Sequence, residues 1–234
     1  MLSLAHLSPQ TQVTGIDVSE TTIRFAGDIS TQVPNAHFRL MAATSLLDFP
    51  DARFDLVHAR YIFGFMPETR WPALLAECRR ILRSGRIIVV TDGEMPTTNK
   101  PAVNRYTELF TRALLAAGQS FSAGGKQIGL LPVLPRLLAE AGFEPGGSQS
   151  YRFDFVTGTP EERESFFLNN YTAGFLLMQP FLLKAGVTTI AETGALYAQV
   201  LTEIRAPDFD AATSVLRGAT TPPEFPLYGR TAML

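Results

Sequence analysis

Gln12-Val13-Thr14-Gly15-Ile16-Asp17-Val18-Ser19-Glu20 decides the reading of this chain. A short apolar run ends in a carboxylate, and a helix start follows at once, with Ser19 in the position of an N-cap. That order describes the second strand of a nucleotide-binding βαβ unit. Its acid stands at the strand's C-terminal edge, where a ribose can be held by its two hydroxyls. Such a unit takes about 30 residues or more, yet sixteen residues precede Asp17. The first strand and the glycine loop belong upstream of them. The expectation is a natural protein that begins earlier, with direct pairing of the remaining strands around a disturbed edge as the alternative.

Composition narrows the class. The 234 residues suit one large α/β domain or a domain with a helical insertion. Apolar residues make up 46% and charged residues 18%, which supports a real core and argues against disorder. Twenty basic residues against 22 acidic ones leave a net charge of −2, with no long run of either sign. Nucleic-acid tracks and anionic-membrane patches are therefore not expected partners. Cys78 is the single cysteine, so an intrachain disulfide and a multi-cysteine metal site are excluded. No basic segment leads into an apolar stretch at the N-terminus, and no apolar run approaches the ~18 residues of a membrane span. A soluble, cytoplasmic protein is the expectation.

Along the chain, Met1–Leu7 is helix-compatible, Val13–Val18 is a strand, and Glu20 to about Gln32 is a helix with Ile23, Phe25, Ala26 and Ile29 as its apolar face. Ala36–Met41 and Arg53–Ala59 read as further strands, with a loop from Ala42 to Pro50 between them. Trp71, Leu74, Leu75, Cys78, Ile81 and Leu82 keep helical spacing, Ser84-Gly85 caps that helix, and Arg86–Thr91 is an apolar strand suited to a sheet centre. Pro101–Ala117 and Gly129–Ala141 are predicted helices and Ser148–Val156 a strand. Pro160–Leu183 and Thr188–Arg205 form a predicted helical pair, Ala211–Arg217 a last strand, and Thr220–Leu234 an irregular tail. Strands alternating with helices imply a Rossmann-like, mostly parallel sheet with flanking helices and a helical lid or insertion near the C-terminus. The expected division is a core over 1–156 with cap helices at 101–141, a helical insertion over 157–207, and a last strand and tail over 208–234.

Three pieces in order carry a resemblance: Val13-Thr14-Gly15-Ile16-Asp17-Val18-Ser19, Asp48-Phe49-Pro50-Asp51-Ala52-Arg53-Phe54-Asp55-Leu56-Val57, and Glu77-Cys78-Arg79-Arg80-Ile81-Leu82-Arg83-Ser84-Gly85-Arg86. Together with Ala141-Gly142-Phe143 before a late strand, they resemble class I methyltransferases that use S-adenosylmethionine, over roughly residues 10 to 155. The resemblance implies that Asp17 holds the ribose, Ile16 and Val18 line the adenine side, Ala42-Ala43-Thr44 lie by the adenine ring, and Arg60 and Tyr61 face the methionine end. Where the family commonly has an acid, this chain has Ala42, and Ser84-Gly85-Arg86 replaces the usual Pro-Gly-Gly turn.

The remaining candidates carry bland alternatives. His58 is a candidate base or an interior histidine, and Asp92 or Glu94 could orient or deprotonate an acceptor or belong to a solvated loop. Asp48 and Asp51 read as turn formers and Asp55 as structural. Tyr106, Phe110, Phe121, Tyr171, Phe175 and Phe181 either line an apolar acceptor pocket or fill the core. No residues have metal-ligand spacing. The implied activity is methyl transfer to a small, partly apolar acceptor, and a homodimer is left open. A catalytically silent binding or partner subunit is the alternative, and a nicotinamide-dependent reductase a third.

Overall fold

The computed structural model describes residues 1–144, 147–154, 168–219 and 230–233. After α1 (Leu2–Leu7), strand β1 (Gln12–Asp17) leads through α2 (Glu20–Ile29) to β2 (Ala36–Leu40), which pairs parallel to it. Strand β3 (Phe54–Arg60) leads through α3 (Trp71–Ile81) to β4 (Leu82–Gly93), again parallel. Short β5 (Thr97–Thr98), α4 (Pro101–Ala116), α5 (Leu134–Glu140) and β6 (Ser148–Asp154) follow. Helices α6 (Asn170–Lys184) and α7 (Ile190–Ile204) precede β7 (Ala211–Ala219) and β8 (Arg230–Met233). The fold is α/β, Rossmann-like and mostly parallel, with flanking helices.

The two βαβ units run outward in opposite directions along the sheet, whose order is β2-β1-β8-β3-β4-β7-β5, with β6 on β7. Right-handed crossovers then put α2 and α3 on opposite faces. Strand β7 is antiparallel to β4, β5 and β6.

The middle of the sheet differs from direct pairing of the remaining strands. β1 and β3 do not pair with each other. Between them lies β8, parallel to both, with Gln12–Gly15 opposite residues 230–233 and Leu56–His58 opposite residues 231–233. The segment read as an irregular tail thus contributes a central strand. The reason is the edges of its neighbours: unpaired N–H and C=O groups inside a sheet cost about 1–3 kcal/mol each, so an extended segment that fills the gap is retained there.

The larger core lies on the α3 side of the sheet. Val57, Ala59, Ile88 and Val90 meet Trp71, Leu75, Cys78 and Ile81 of α3 and Tyr106, Phe110 and Leu114 of α4. Burial pushes the Cys78 thiol up to about 12, so it behaves as an apolar core residue. Helices α6 and α7 pack on α4, with the Phe175 ring 4.4 Å from Tyr106 and Phe181 5.9 Å from Phe110. A second, small cluster of Ala5, Val13 and Val33 sits on the opposite face beneath α1.

Sequence motifs two and three are joined here. Arg80 donates to Glu77, to Asp51 at 2.6 Å and to the carbonyls of Leu47 and Phe49, while Glu77 accepts the Leu47 amide. The Arg80 guanidinium holds the Glu77 carboxyl below its ordinary range. Asp48 pairs with Arg39 rather than only shaping its turn. Asp55 grips Arg83 and Arg86, across a bulge in which Phe54 faces Leu82 and Leu56 already faces Ile87.

Three element expectations need correction. Ser84-Gly85 does not cap α3: the helix ends at Ile81, Leu82 is already extended, and Gly85 (φ 71°) belongs to the bulge. The helix over Gly129–Ala141 shortens to α5, because Gly129 is left-handed and a Cβ there would lie 2.8 Å from the Ser122 amide nitrogen. The inner face of α2 narrows to Ile23 and Ala26, leaving Phe25 and Ile29 exposed. The start of the helix predicted from Pro160 lies outside the described residues.

Gly142 follows α5 at φ 80°, and a Cβ there would lie 1.9 Å from Arg79 Nη1, which donates to the Ala141 carbonyl. Gly85 has a similar φ of 71° but open space. Gly142→Ala is expected to cost about 1–2 kcal/mol of backbone strain plus the displacement of Arg79, and Gly85→Ala the strain alone. Urea unfolding of both variants checks this, and equal losses would show that the Arg79 contact adds nothing.

Candidate functional site at the carboxyl edge of β1 and β3

The carboxyl edge of a parallel sheet is where ligands bind in this architecture, and the strand-to-helix turn after β1 builds one wall. Asp17 Oδ1 accepts the Ser19 amide at 2.8 Å, and Ser19 Oγ caps α2 by accepting the Thr22 amide at 3.2 Å. The Asp17 carbonyl accepts the Met41 amide at 2.9 Å, tying the end of β2 to the same corner. Asp17 Oδ2 has no hydrogen bond within the described residues.

A cavity of about 440 Å3 opens at this corner, lined by Ile16, Asp17, Val18, Met41, Ala43, Thr44, Arg60 and Phe65. Six of the eight residues singled out from the sequence line it: Ile16, Asp17, Val18, Ala43, Thr44 and Arg60. Ala42 and Tyr61 stand outside the lining. Tyr61 instead lies under the Arg60 guanidinium, 5.0 Å from ring centre, and its φ of 52° is left-handed. Met41 and Phe65 were not anticipated. Met41 was signalled by its place at the end of β2, but Phe65 enters through the turn after Tyr61, which no sequence cue announced.

The far end of the cavity is basic. Arg60 holds the Met1 amino group below its ordinary value, after burial as the larger cause. His58 is half-buried, hydrogen-bonds Thr91 Oγ1 at 3.0 Å, and is lowered to about 4 by burial and then by Arg60 and Arg217. It is uncharged at neutral pH and does not line the cavity, which fits the interior reading.

Two carboxylates end β4, and neither belongs to a solvated loop. Asp92 is fully buried and accepts the Gly93 amide at 3.1 Å and the Phe63 amide at 3.3 Å, which braces the turn leading to Phe65. Glu94 accepts the Ile128 and Gly129 amides, both at 2.8 Å, and lines a separate cavity of about 550 Å3 with Thr97, Asn104, Thr107, Glu108 and Lys126. Burial raises both carboxyls, Asp92 to about 7. The aromatic candidates fill the core: Tyr106, Phe110 and Phe175 are buried, with Phe121 and Phe181 packed against them. The Tyr171 side chain lies outside the described residues.

Residues 1–85 match the family described as "Methyltransferase domain". The segment holds β1, the Asp17 corner, β3 and α3, and on it rests the chain's similarity to class I methyltransferases. No curated protein matches the chain. Among solved structures, the [4+2]-cyclase SpnF is 20% identical, with 88% of this chain and 66% of that chain covered and a TM-score of 0.48. A putative methyltransferase from Bacillus halodurans C-125 is 14% identical, with 93% and 87% covered and a TM-score of 0.48. Coclaurine N-methyltransferase, solved with N-methylheliamine and SAH, is 13% identical, with 92% and 63% covered and a TM-score of 0.49. The chain thus spans less than two thirds of the length of the last of these and about two thirds of SpnF. Among the described residues no helix is long and apolar enough to cross a membrane.

The raised Asp92 carboxyl predicts a pH effect. Between 3.8 and about 7 the folded protein keeps a proton on Asp92 that the unfolded chain has lost. Stability from this group is therefore greatest at the acid end and falls as pH rises to about 7. Asp92→Asn is expected to flatten that fall. Urea unfolding at pH 5 and pH 8 measures it, and an unchanged difference between the two pH values would refute the assignment.

Proposed function

We propose that the chain binds S-adenosylmethionine at the Asp17 corner and transfers its methyl group to a small-molecule acceptor. The observation that carries this reading is Asp17 Oδ2, without a hydrogen-bond partner among the described residues, on a mostly apolar cavity that ends in Arg60. The residues fit the group. The Asp17 carboxylate suits two vicinal ribose hydroxyls, because charge-assisted hydrogen bonds are the strong ones. Ile16, Val18, Met41 and Phe65 offer apolar surface for a purine, and the cavity volume falls within the range of small-molecule sites. Arg60, steadied by Tyr61, supplies a cation for the amino-acid carboxylate. With Ala42 in place of an acid, the purine is held by its faces rather than by its amino edge.

The bound cofactor supplies an activated sulfonium methyl group for in-line displacement. The chain's own work is then alignment and exclusion of water, which needs no nucleophile or metal. Acceptor recognition falls to the helical layer of α4, α6 and α7, which covers the sheet on the α3 side. A partly apolar acceptor and a cytoplasmic setting belong to the same reading, and so does the division into a core over 1–156, an insertion over 157–207 and a terminal segment over 208–234.

Asp17→Ala removes a charged hydrogen-bond partner worth about 1.5–3 kcal/mol. Binding of S-adenosylhomocysteine, followed by calorimetry, is expected to weaken roughly 10- to 100-fold, with Asp17→Asn intermediate. The unfolding midpoint is expected to hold, since among the described residues the Asp17 carboxylate makes only the local bond to Ser19. No binding to the unaltered chain at millimolar cofactor would sink the reading and favour a silent, methyltransferase-like binding protein.

A further inference from the structure

The cavity is assembled across a joint in the sheet. Ile16, Asp17, Val18, Met41, Ala43 and Thr44 arrive with β1 and β2, whereas Arg60 and Phe65 arrive with β3. Among the described residues, strand pairing links these two halves through β8 alone: β1 pairs with β2 and β8, and β3 with β4 and β8. The cluster of Ala5, Val13 and Val33 beneath α1 is separate from the larger core, so the β1 half also has packing of its own. Ile16 and Met41 reach into the larger core.

β8 ends level with Gly15 on one side and His58 on the other. Asp17 and Arg60 stand two residues further along their strands, past the end of β8. Its effect on the site is spacing. Two strand steps of about 4.8 Å hold the tips of β1 and β3 about 10 Å apart. Without an intervening strand the tips either part or pair directly at about 4.8 Å, and both outcomes remove the cavity.

We infer that β8 is the positioning element of this site: a clasp whose docking between β1 and β3 sets the distance from Asp17 to Arg60, in a slot that accepts an extended segment as a parallel strand. The inference rests on reading the cavity as the cofactor site. The ten residues 220–229 between β7 and β8 can span up to about 33 Å when extended. The way from β7 across β4 and β3 to β8 is three strand steps, about 14 Å. That length of chain is enough to reach the slot, and backbone pairing with β1 and β3 holds β8 there.

Proline within a central strand removes a ladder donor and is not accommodated there. The test uses the full chain with Thr231→Pro and, separately, Ala232→Pro. Expected are about tenfold weaker binding of S-adenosylhomocysteine and faster amide exchange at Gly15, Ile16, Val57 and His58, with α3 and α4 protected as before. A synthetic peptide of residues 220–234, added in excess to either variant, is expected to restore both readouts, and a scrambled peptide neither. Unaltered exchange in β1 and β3 overturns the inference. So does loss of protection throughout α3 and α4, which would make β8 a general support, and so does failure of the peptide to restore the strands. If the unaltered chain does not bind the cofactor, the exchange pattern and its rescue still decide the role of β8, while the cofactor reading fails by itself.

Discussion

A strand inside a parallel sheet must bond along both edges, because its backbone groups are shut away from water. β1 and β3 each have one edge turned toward the middle of the sheet, and they do not bond to each other. Everything at the carboxyl edge depends on how those edges are satisfied. The four residues of β8 do so, lying parallel to both neighbours. Only the middle of the sheet needed an unusual solution. The outer pairs follow the expected crossovers, and β7 closes the far side antiparallel to β4.

The motifs that carry the resemblance divide by task. Asp48–Val57 and Glu77–Arg86 meet through the Glu77–Arg80 clamp on the loop from Leu47 to Asp51, and Asp55 binds Arg83 and Arg86 across the bulge. These are structural joints, and none of their residues lines the cavity at Asp17. Their polar residues range from partly shielded to, at Asp51, exposed, so each contact contributes modestly and the network matters more than any pair. The first motif alone faces the cavity. Its strand delivers Asp17, and its serine fixes the turn that presents the carboxylate.

Much of this was legible in the sequence, for identifiable reasons. Trp71, Leu74, Leu75, Cys78 and Ile81 repeat at helical spacing because one face of α3 is buried, and those residues are the buried ones. Ser19 marked a helix start through a hydrogen bond that only a short polar side chain can make there. Ile16, Asp17, Val18, Ala43, Thr44 and Arg60 were named from the resemblance, and they share one cavity because they lie where strands end at the carboxyl edge of the sheet. β8 was not. Arg230-Thr231-Ala232-Met233 has no alternation and follows a segment with Pro222, Pro223 and Pro226. Its strand state comes from the demands of β1 and β3 rather than from its own propensity. Phe65 was hidden behind the left-handed Tyr61, and the buried Asp92 and Glu94 resembled loop acids until their amide partners, about 30 residues distant in sequence, came into view.

The place of β8 in the chain has a consequence for how the protein is made. Gln12 pairs with Arg230, so the closing bonds of the sheet join the first strand described to a segment translated after every other strand and helix described. Domains ordinarily gain structure from the N-terminal side while synthesis continues. The bonds that β8 makes to β1 form only once residues 230–233 have emerged, long after β1 and β2. Such long-range closure is slow and leaves a sticky edge in the interval.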